Sequence, residues 1–276
     1  MLALGGAALS CSLLIETSTK QCSQNSDCPK LGKGFEGSVC QKSLCVTPVI
    51  DDPLVCKTPD AGATQTVKLT FTVNFAAKPA APQPFQIWAC SRLDVNCDSP
   101  VFGPVTANAG EMVELAVPVG FQGYLQLKNP STVNAMEFLA RPLLEDTHGW
   151  DLTIASPDTV KLLGTATGTT IDPMLGGIVM IARDCNRMAL AGVQASIMVS
   201  QGDPSDAGQD TTVSFYFSNM FPSKSLMATT SEGAAGFVNV PIGSATLSGT
   251  TDSGRALSPT TAVSRAGWFS YVEVQP

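Results

Sequence analysis

The chain has 276 residues, with 16 Lys and Arg against 23 Asp and Glu, which gives a formal net charge of −7. Without a basic stripe to neutralise phosphates, such a chain is not expected to have a nucleic-acid partner. Its 44% hydrophobic and 14% charged content, with many Gly, Pro, Ser, Thr and β-branched residues, predicts a mainly β globular protein, neither disordered nor a helical bundle.

Residues 1–10, MLALGGAALS, are apolar and end in small side chains, which reads as the apolar region of an export signal peptide and is too short to span a bilayer. Ala8-Leu9-Ser10-Cys11 resembles a bacterial lipobox, in which cleavage before the cysteine precedes attachment of diacylglycerol to its sulfur. Ala8 stands where that pattern usually has Leu, and no Lys or Arg precedes Lys20. The alternative reading is a buried N-terminal segment with a structural cysteine. No later run is apolar enough for a membrane helix, so a lipid on Cys11 would be the only membrane anchor. Ser12 after Cys11 is compatible with outer-membrane sorting.

Setting Cys11 aside leaves Cys22, Cys28, Cys40, Cys45, Cys56, Cys90, Cys97 and Cys185, an even number suited to full pairing in an oxidising compartment. The first four lie in a leader, 11–46, that is too poor in large apolar residues to build a core and therefore needs staples. Three connectivities are open to these four; the interleaved one, Cys22 with Cys40 and Cys28 with Cys45, is preferred, although spacing alone does not select it. Cys90 with Cys97 then leaves Cys56 with Cys185 by arithmetic. Zinc is disfavoured, because there is no CxxC pair and the one histidine is distant His148.

A Pro-, Asp- and Thr-rich linker, 47–65, leads to a first β-sandwich at 66–150. Val67–Phe75 alternates apolar and polar residues, the pattern of a strand with one wet face. Further strands are expected at Phe85–Cys90, Met112–Val117, Tyr124–Leu127 and Met136–Ala140, a spacing that suggests a sandwich. Within a bridging segment, 151–175, Ser156-Pro157-Asp158 predicts the capped start of a short helix, closed by Gly164 or Gly168. A second sandwich, 176–276, has expected strands at Ile178–Ala182, Val193–Val199, Thr212–Phe217, Leu226–Thr230, Gly236–Val240, Ala245–Leu247 and Trp268–Val274. Val117-Pro118-Val119-Gly120 and Val240-Pro241-Ile242-Gly243 suggest an internal repeat, with an insertion at 201–225 in the second copy.

Leu190-Ala191-Gly192-Val193 and the run from Ala228 through Gly233, Phe237 and Pro241 to Gly243 resemble carboxypeptidase regulatory-like domains, which are transthyretin-like β-sandwiches. The resemblance covers roughly 178–276 and, more weakly, 66–145. It implies a hairpin turn at Gly233, a core plug at Phe237 and no peptidase activity. The cysteine-rich leader behind Cys11 also resembles cell-envelope lipoproteins of myxobacteria and their relatives.

Candidate sites are few. Glu145-Asp146-Thr147-His148-Gly149-Trp150-Asp151 is a polar cluster able in principle to hold a metal or orient a base, but HExxH, GxSxG and P-loop motifs are absent, and an interdomain loop is the preferred reading. Asp203, Asp206 and Asp210 form an acidic loop whose spacing matches no EF-hand calcium site. Trp88, Trp150 and Trp268, with Tyr124, Tyr216 and Tyr271, would make sugar-stacking platforms if exposed; core packing is expected instead. Lys68 falls on the polar face of its strand, so no isopeptide crosslink is expected. The sequence therefore predicts a non-enzymatic, lipid-anchored envelope protein with no cofactor, presenting β-sandwiches to an unknown envelope protein or glycan. The alternatives are a carbohydrate- or peptide-binding module using 201–225, marked by exposed Phe215, Tyr216 or Phe221, and a hydrolase or metal site around His148.

Overall fold

The computed structural model describes residues 20–32, 35, 38–41, 43–46, 53–54, 56, 65–201 and 212–276, and falls into two units, 1–52 and 53–276. Cys11 and the acidic loop from Asp203 to Asp210 lie outside the described residues.

In the first unit a 3-10 helix, Asn25–Leu31, and a hairpin of β1 (Val39–Gln41) and β2 (Leu44–Val46) are joined by two disulfides. Cys22 bonds Cys40 and Cys28 bonds Cys45, the interleaved arrangement. With separations of 18 and 17 residues, each bridge removes about 3 kcal/mol of loop entropy from the unfolded chain. Cross-linking thus supplies what a hydrophobic core does in a larger unit. The Cys22, Cys28 and Cys45 sulfurs lie within 4.8 Å of one another, but all are bonded in disulfides and offer no thiolate to a metal.

The second unit contains β3 (Thr66–Phe75), β4 (Phe85–Ser91), β5 (Phe102–Ala107), β6 (Met112–Pro118), β7 (Gly123–Lys128), β8 (Asn134–Phe138), β9 (Thr147–Ile154), α1 (Pro157–Thr167), β10 (Gly176–Ala182), β11 (Gln194–Gln201), β12 (Val213–Ser218), β13 (Phe221–Ser223), β14 (Ala234–Val240), β15 (Gly243–Thr250), β16 (Thr260–Ser264) and β17 (Trp268–Val274). It is mainly β and sandwich-like, with one α-helix among the described residues, as the sequence predicts.

The two halves share a single nine-stranded sheet, ordered β13-β12-β14-β10-β17-β8-β7-β4-β5. The last strand, β17, runs parallel to β10 on one side and to β8 on the other, and so splices the halves together. Two three-stranded sheets, β6-β3-β9 and β11-β15-β16, cover opposite faces of this central sheet. Alternation along the shared strands explains how. Ile87, Ala89, Leu125, Leu127 and Ala135 join Leu69, Phe71, Leu115 and Leu152 in one core, while Cys90, Tyr124, Met136 and Phe138 face the other way and join Met180, Leu247, Ala262 and Val272. On the first face, beside β6-β3-β9, α1 covers the second half of the sheet through Leu163 packed with Phe215, Val238 and Phe269.

The helix begins where the sequence predicts. Ser156 accepts a hydrogen bond from the Thr159 amide at 3.2 Å, Pro157 occupies the first turn, and Gly168 at φ 62° and ψ 32° ends the helix in the left-handed conformation, so Gly168 rather than Gly164 is the stop. Gly233, at φ +65°, makes the turn into β14, and Phe237 is buried.

Other expectations are corrected. Phe102–Ala107 forms an edge strand despite Pro104, a residue tolerated at a sheet edge. Thr147–Ile154 is a strand parallel to β3, so His148 lies on a strand rather than in a loop, and 151–154 complete that strand instead of opening the bridging segment. Leu226–Thr230 is not a strand, because the Thr229 backbone and hydroxyl bond the neighbouring turn at Leu190, Gly192 and Val193. The suggested repeat does not describe equivalent turns: Val117-Pro118 leads from a small sheet into the large one, whereas Val240-Pro241 leads out of the large sheet into a small one.

Two further disulfides pin this unit. Cys90 bonds Cys97, closing the turn after β4, and Cys56 bonds Cys185 across 129 residues. By the same entropy argument the second is worth about 5 kcal/mol. Beside it the Cys185 amide donates to the Pro53 carbonyl at 2.8 Å, and Arg255 donates to the Leu54 carbonyl at 2.7 Å.

Candidate functional site

On the face of the central sheet that carries Tyr124 and Met136, one register row crosses five strands. Thr106 on β5 pairs with Gln86 on β4, and Gln86 with Lys128 on β7; Leu127 pairs with Ala135, which sets Lys128 beside Asn134 on β8; Asn134 pairs with Trp268 on β17. At the spacing of neighbouring strands this row spans roughly 19 Å. Thr106, Gln86 and Lys128 are exposed, and Asn134 and Trp268 half-buried, so the row lies beyond the cover of β11-β15-β16. Trp88, one residue pair further along β4 and opposite Gln126, is half-buried beside it.

The Lys128 ammonium lies 5.3 Å from the Trp88 ring centre and 5.7 Å from that of Trp268, so the two indoles are at most about 11 Å apart with one cation between them. The Arg265 guanidinium also sits over Trp268, 4.9 Å from the ring centre. That arginine is engaged: it donates to Gln126 Oε1 at 2.9 Å and to the Tyr124 hydroxyl at 3.3 Å. The Tyr124 hydroxyl in turn donates to the Asp94 carbonyl at 2.7 Å, and burial is the main reason its acidity is weakened. Lys128, by contrast, makes no ion pair or hydrogen bond among the described residues, and neither do the side-chain amides of Gln86 and Asn134. A depression of about 440 Å³, lined by Gln86, Thr106, Lys128, Asn129 and Asn134 together with Gln83 and two prolines, follows the row. A second cleft of about 720 Å³ runs between α1 and the starts of β10 and β17, with Trp268 in its wall.

The aromatic residues thus divide. Trp88 and Trp268 pack against the second core, as expected, but are only half-buried, whereas Trp150 and Phe215 are buried. The Tyr216 hydroxyl is held by the Ala195 amide at 3.1 Å, leaving Phe221, on the edge strand β13, as the exposed aromatic of the described part of 201–225. A recognition surface on 201–225 built from Phe215 or Tyr216 is therefore not what the fold presents. The polarity of the row was present in the sequence as Gln86, Lys128 and Asn134, but no short-range pattern aligns three strands into one register.

A second polar cluster lies on the opposite face. Glu273 on β17 takes Arg183 at 3.2 Å and Arg187 at 3.1 Å, and Arg187 stacks 4.5 Å over the Trp150 ring. Glu137 on β8, opposite Tyr271, is 1% exposed and its Oε2 has no partner. Burial and then the Glu273 charge push its carboxyl up to about 8, against the pull of Arg183 and Arg187. Burial also raises the Tyr271 hydroxyl, which accepts from the Ala155 amide at 3.2 Å. Both carboxylates are buried, and the consequence of this acid pair is for stability. Lys68 pairs with exposed Glu114 at 2.9 Å, on the polar face expected for it.

No family model and no curated protein matches the chain. Among solved structures, a streptococcal ancillary pilin is 14% identical, with 76% of this chain and 68% of that chain covered, at a TM-score of 0.26. The shaft pilin SpaA of Lactobacillus rhamnosus GG, as a double mutant, is 14% identical with 78% and 98% covered, at 0.23. A minor pilin of Streptococcus agalactiae is 13% identical with 76% and 95% covered, at 0.22. At these TM-scores the likeness carries no functional argument.

Proposed function

We propose that this chain is a non-enzymatic envelope protein, tethered by diacylglycerol on Cys11, that offers its β-sandwich to a surface partner through the row around Trp88, Lys128 and Trp268. The observation that carries this reading is the row itself: two half-buried indoles, an ammonium without an ion-pair partner and two unpartnered amides on a strip of sheet left uncovered. Half-buried aromatics edged by polar groups without internal partners are the usual make-up of a contact surface. The compartment is supported by the four disulfides, which use every cysteine except Cys11 and persist where the surroundings are oxidising. No helix among the described residues is long and apolar enough to cross a membrane.

Mass spectrometry of the protein from its host's membrane fraction tests the tether. The expected N-terminal peptide carries diacylglycerol on Cys11, and reduction adds two hydrogens for each of the four bridges; an unlipidated Cys11 with free thiols overturns it. Binding of the full chain to host envelope preparations tests the surface. The Trp88→Ala, Trp268→Ala double variant, with its folding checked by circular dichroism, is expected to lose that binding; retention at wild-type level overturns the assignment of the row.

A further inference from the structure

The row crosses the start of β4; Arg92 follows the end of that strand, roughly 20 Å away. There, where β15 and β16 of the covering sheet meet the end of β8, lies a pocket of about 270 Å³. Its lining includes Val95, Phe138, Ala262, Val263 and Ser244, and Arg92 is its only charged member. We infer that this pocket binds a small monocarboxylate with a short apolar tail, the carboxylate on the Arg92 guanidinium and the tail against Val95 and Val263.

The argument starts from what Arg92 lacks. Its Nη2 donates to the Leu139 carbonyl at 2.7 Å, which holds the guanidinium at the end of β8, next to Phe138 of the lining. Its Nε is buried without a partner, and no Asp or Glu pairs with it among the described residues. Asp94, two residues on, is engaged elsewhere, accepting from the Asp98 and Ser99 amides at 3.0 and 2.7 Å. Arg183 and Arg187, likewise half-buried, share the carboxylate of Glu273. Burial lowers the basicity of Arg92, and no acidic neighbour opposes it. A guanidinium half withdrawn from water and met by one neutral carbonyl is an incomplete ion pair, and a carboxylate from outside completes it.

The pocket also narrows the class of anion. A lining with Val95, Phe138, Ala262 and Val263 favours an apolar body over a sugar or a free inorganic ion. A volume of about 270 Å³ lies at the small end of ligand sites, which suits a short tail rather than a long acyl chain. One guanidinium balances the single charge of a carboxylate and leaves a phosphate dianion half-neutralised.

The test titrates the full chain with hexanoate, its neutral amide hexanamide, acetate, and a short peptide with a free C-terminal phenylalanine, read by calorimetry and ligand-observed NMR. Hexanoate is expected to bind about tenfold more tightly than hexanamide, for want of the charge, and than acetate, for want of the tail. Val95→Glu, at an exposed side chain, sets a carboxylate in the pocket and is expected to abolish hexanoate binding. Arg92→Gln keeps a donor for the Leu139 carbonyl and is expected to erase the preference for acid over amide. Equal binding of hexanoate and hexanamide, equal binding of hexanoate and acetate, or parental hexanoate affinity in Val95→Glu overturns the inference. So does tighter binding of the peptide, which would make the ligand a chain end, or no binding of hexanoate at all. The pocket shares no residue with the row, so neither result bears on the envelope binding tested by the double tryptophan variant.

Discussion

The two polar clusters of this protein use the same vocabulary on opposite faces of the same strands. On one face Trp88 and Trp268 flank Lys128 and stand beside Gln86 and Asn134; on the other, Trp150 stacks on Arg187 beside Glu273 and Glu137. On β8, Asn134 belongs to the first and Glu137, three residues on, to the second; on β17, Trp268 and Glu273 divide in the same way. What separates them is cover. The outer row projects past the edge of its covering sheet and keeps its hydrogen-bonding capacity for a partner from outside. The inner cluster lies under β9 and the loop after β10, so its groups must satisfy one another, and Glu137 Oε2 is left over. An exposed cation beside rings suits a contact surface, and a buried carboxylate with an unpartnered oxygen is a stability liability.

Breaking the inner cluster should have the largest effect. Glu273→Leu removes the buried carboxylate from two half-buried guanidinium groups and is expected to destabilise the protein by about 3–5 kcal/mol in urea denaturation. A cost under about 1 kcal/mol would mean that the arginines find water, and that the cluster is not sealed.

Next comes Glu137→Gln, which turns on proton linkage. The native carboxyl titrates at about 8 against a reference of 4.5, so between those values the folded state holds the proton more firmly than the unfolded state does. Its contribution is complete below about 4.5 and is lost as pH rises through about 8. The variant, fixed in the neutral form, is expected to lack that decline and to exceed the parent in stability by roughly 2–4 kcal/mol at pH 9, measured by denaturation across pH. Parallel pH profiles for the two proteins would refute the assignment of Glu137.

The smallest effect belongs to the outer row. Lys128→Gln gives up two cation–π contacts at an exposed side chain and is expected to change stability by less than about 1 kcal/mol. A larger thermal shift would make Lys128 a structural residue and collapse the contrast between the two faces.

Local physical chemistry made much of the fold legible. The alternation of Val67, Leu69, Phe71, Val73 and Phe75 announces a strand with one buried face, and Ser156-Pro157-Asp158 announces a helix start, because each signal is written within a few residues. Cysteine parity gave the number of bridges but not their pairing; Cys56 with Cys185, 129 residues apart, followed only as the remainder once the others were chosen. The aromatic row was less legible. Trp88 sits in FQIWACS, where both faces of the strand are largely apolar, so alternation does not say which face stays partly open. Glu137 and Glu273 are single charges inside apolar strands, a visible oddity, but their proximity depends on β8 and β17 being neighbours.

The sequence by itself determined the mainly β class, the positions of most strands, the capped helix and an even set of cysteines able to pair in full, but not which of them pair. Those follow from side-chain periodicity, capping chemistry and the pairing of thiols in an oxidising setting. Only the tertiary structure decided that the halves share one sheet, because the parallel pairing of β17 with β8 and β10 joins segments far apart in the chain and rewards contacts that no local pattern encodes. That single splice determines which residues of β4, β7, β8 and β17 meet, and hence where the row opens to solvent and where the carboxylates are sealed.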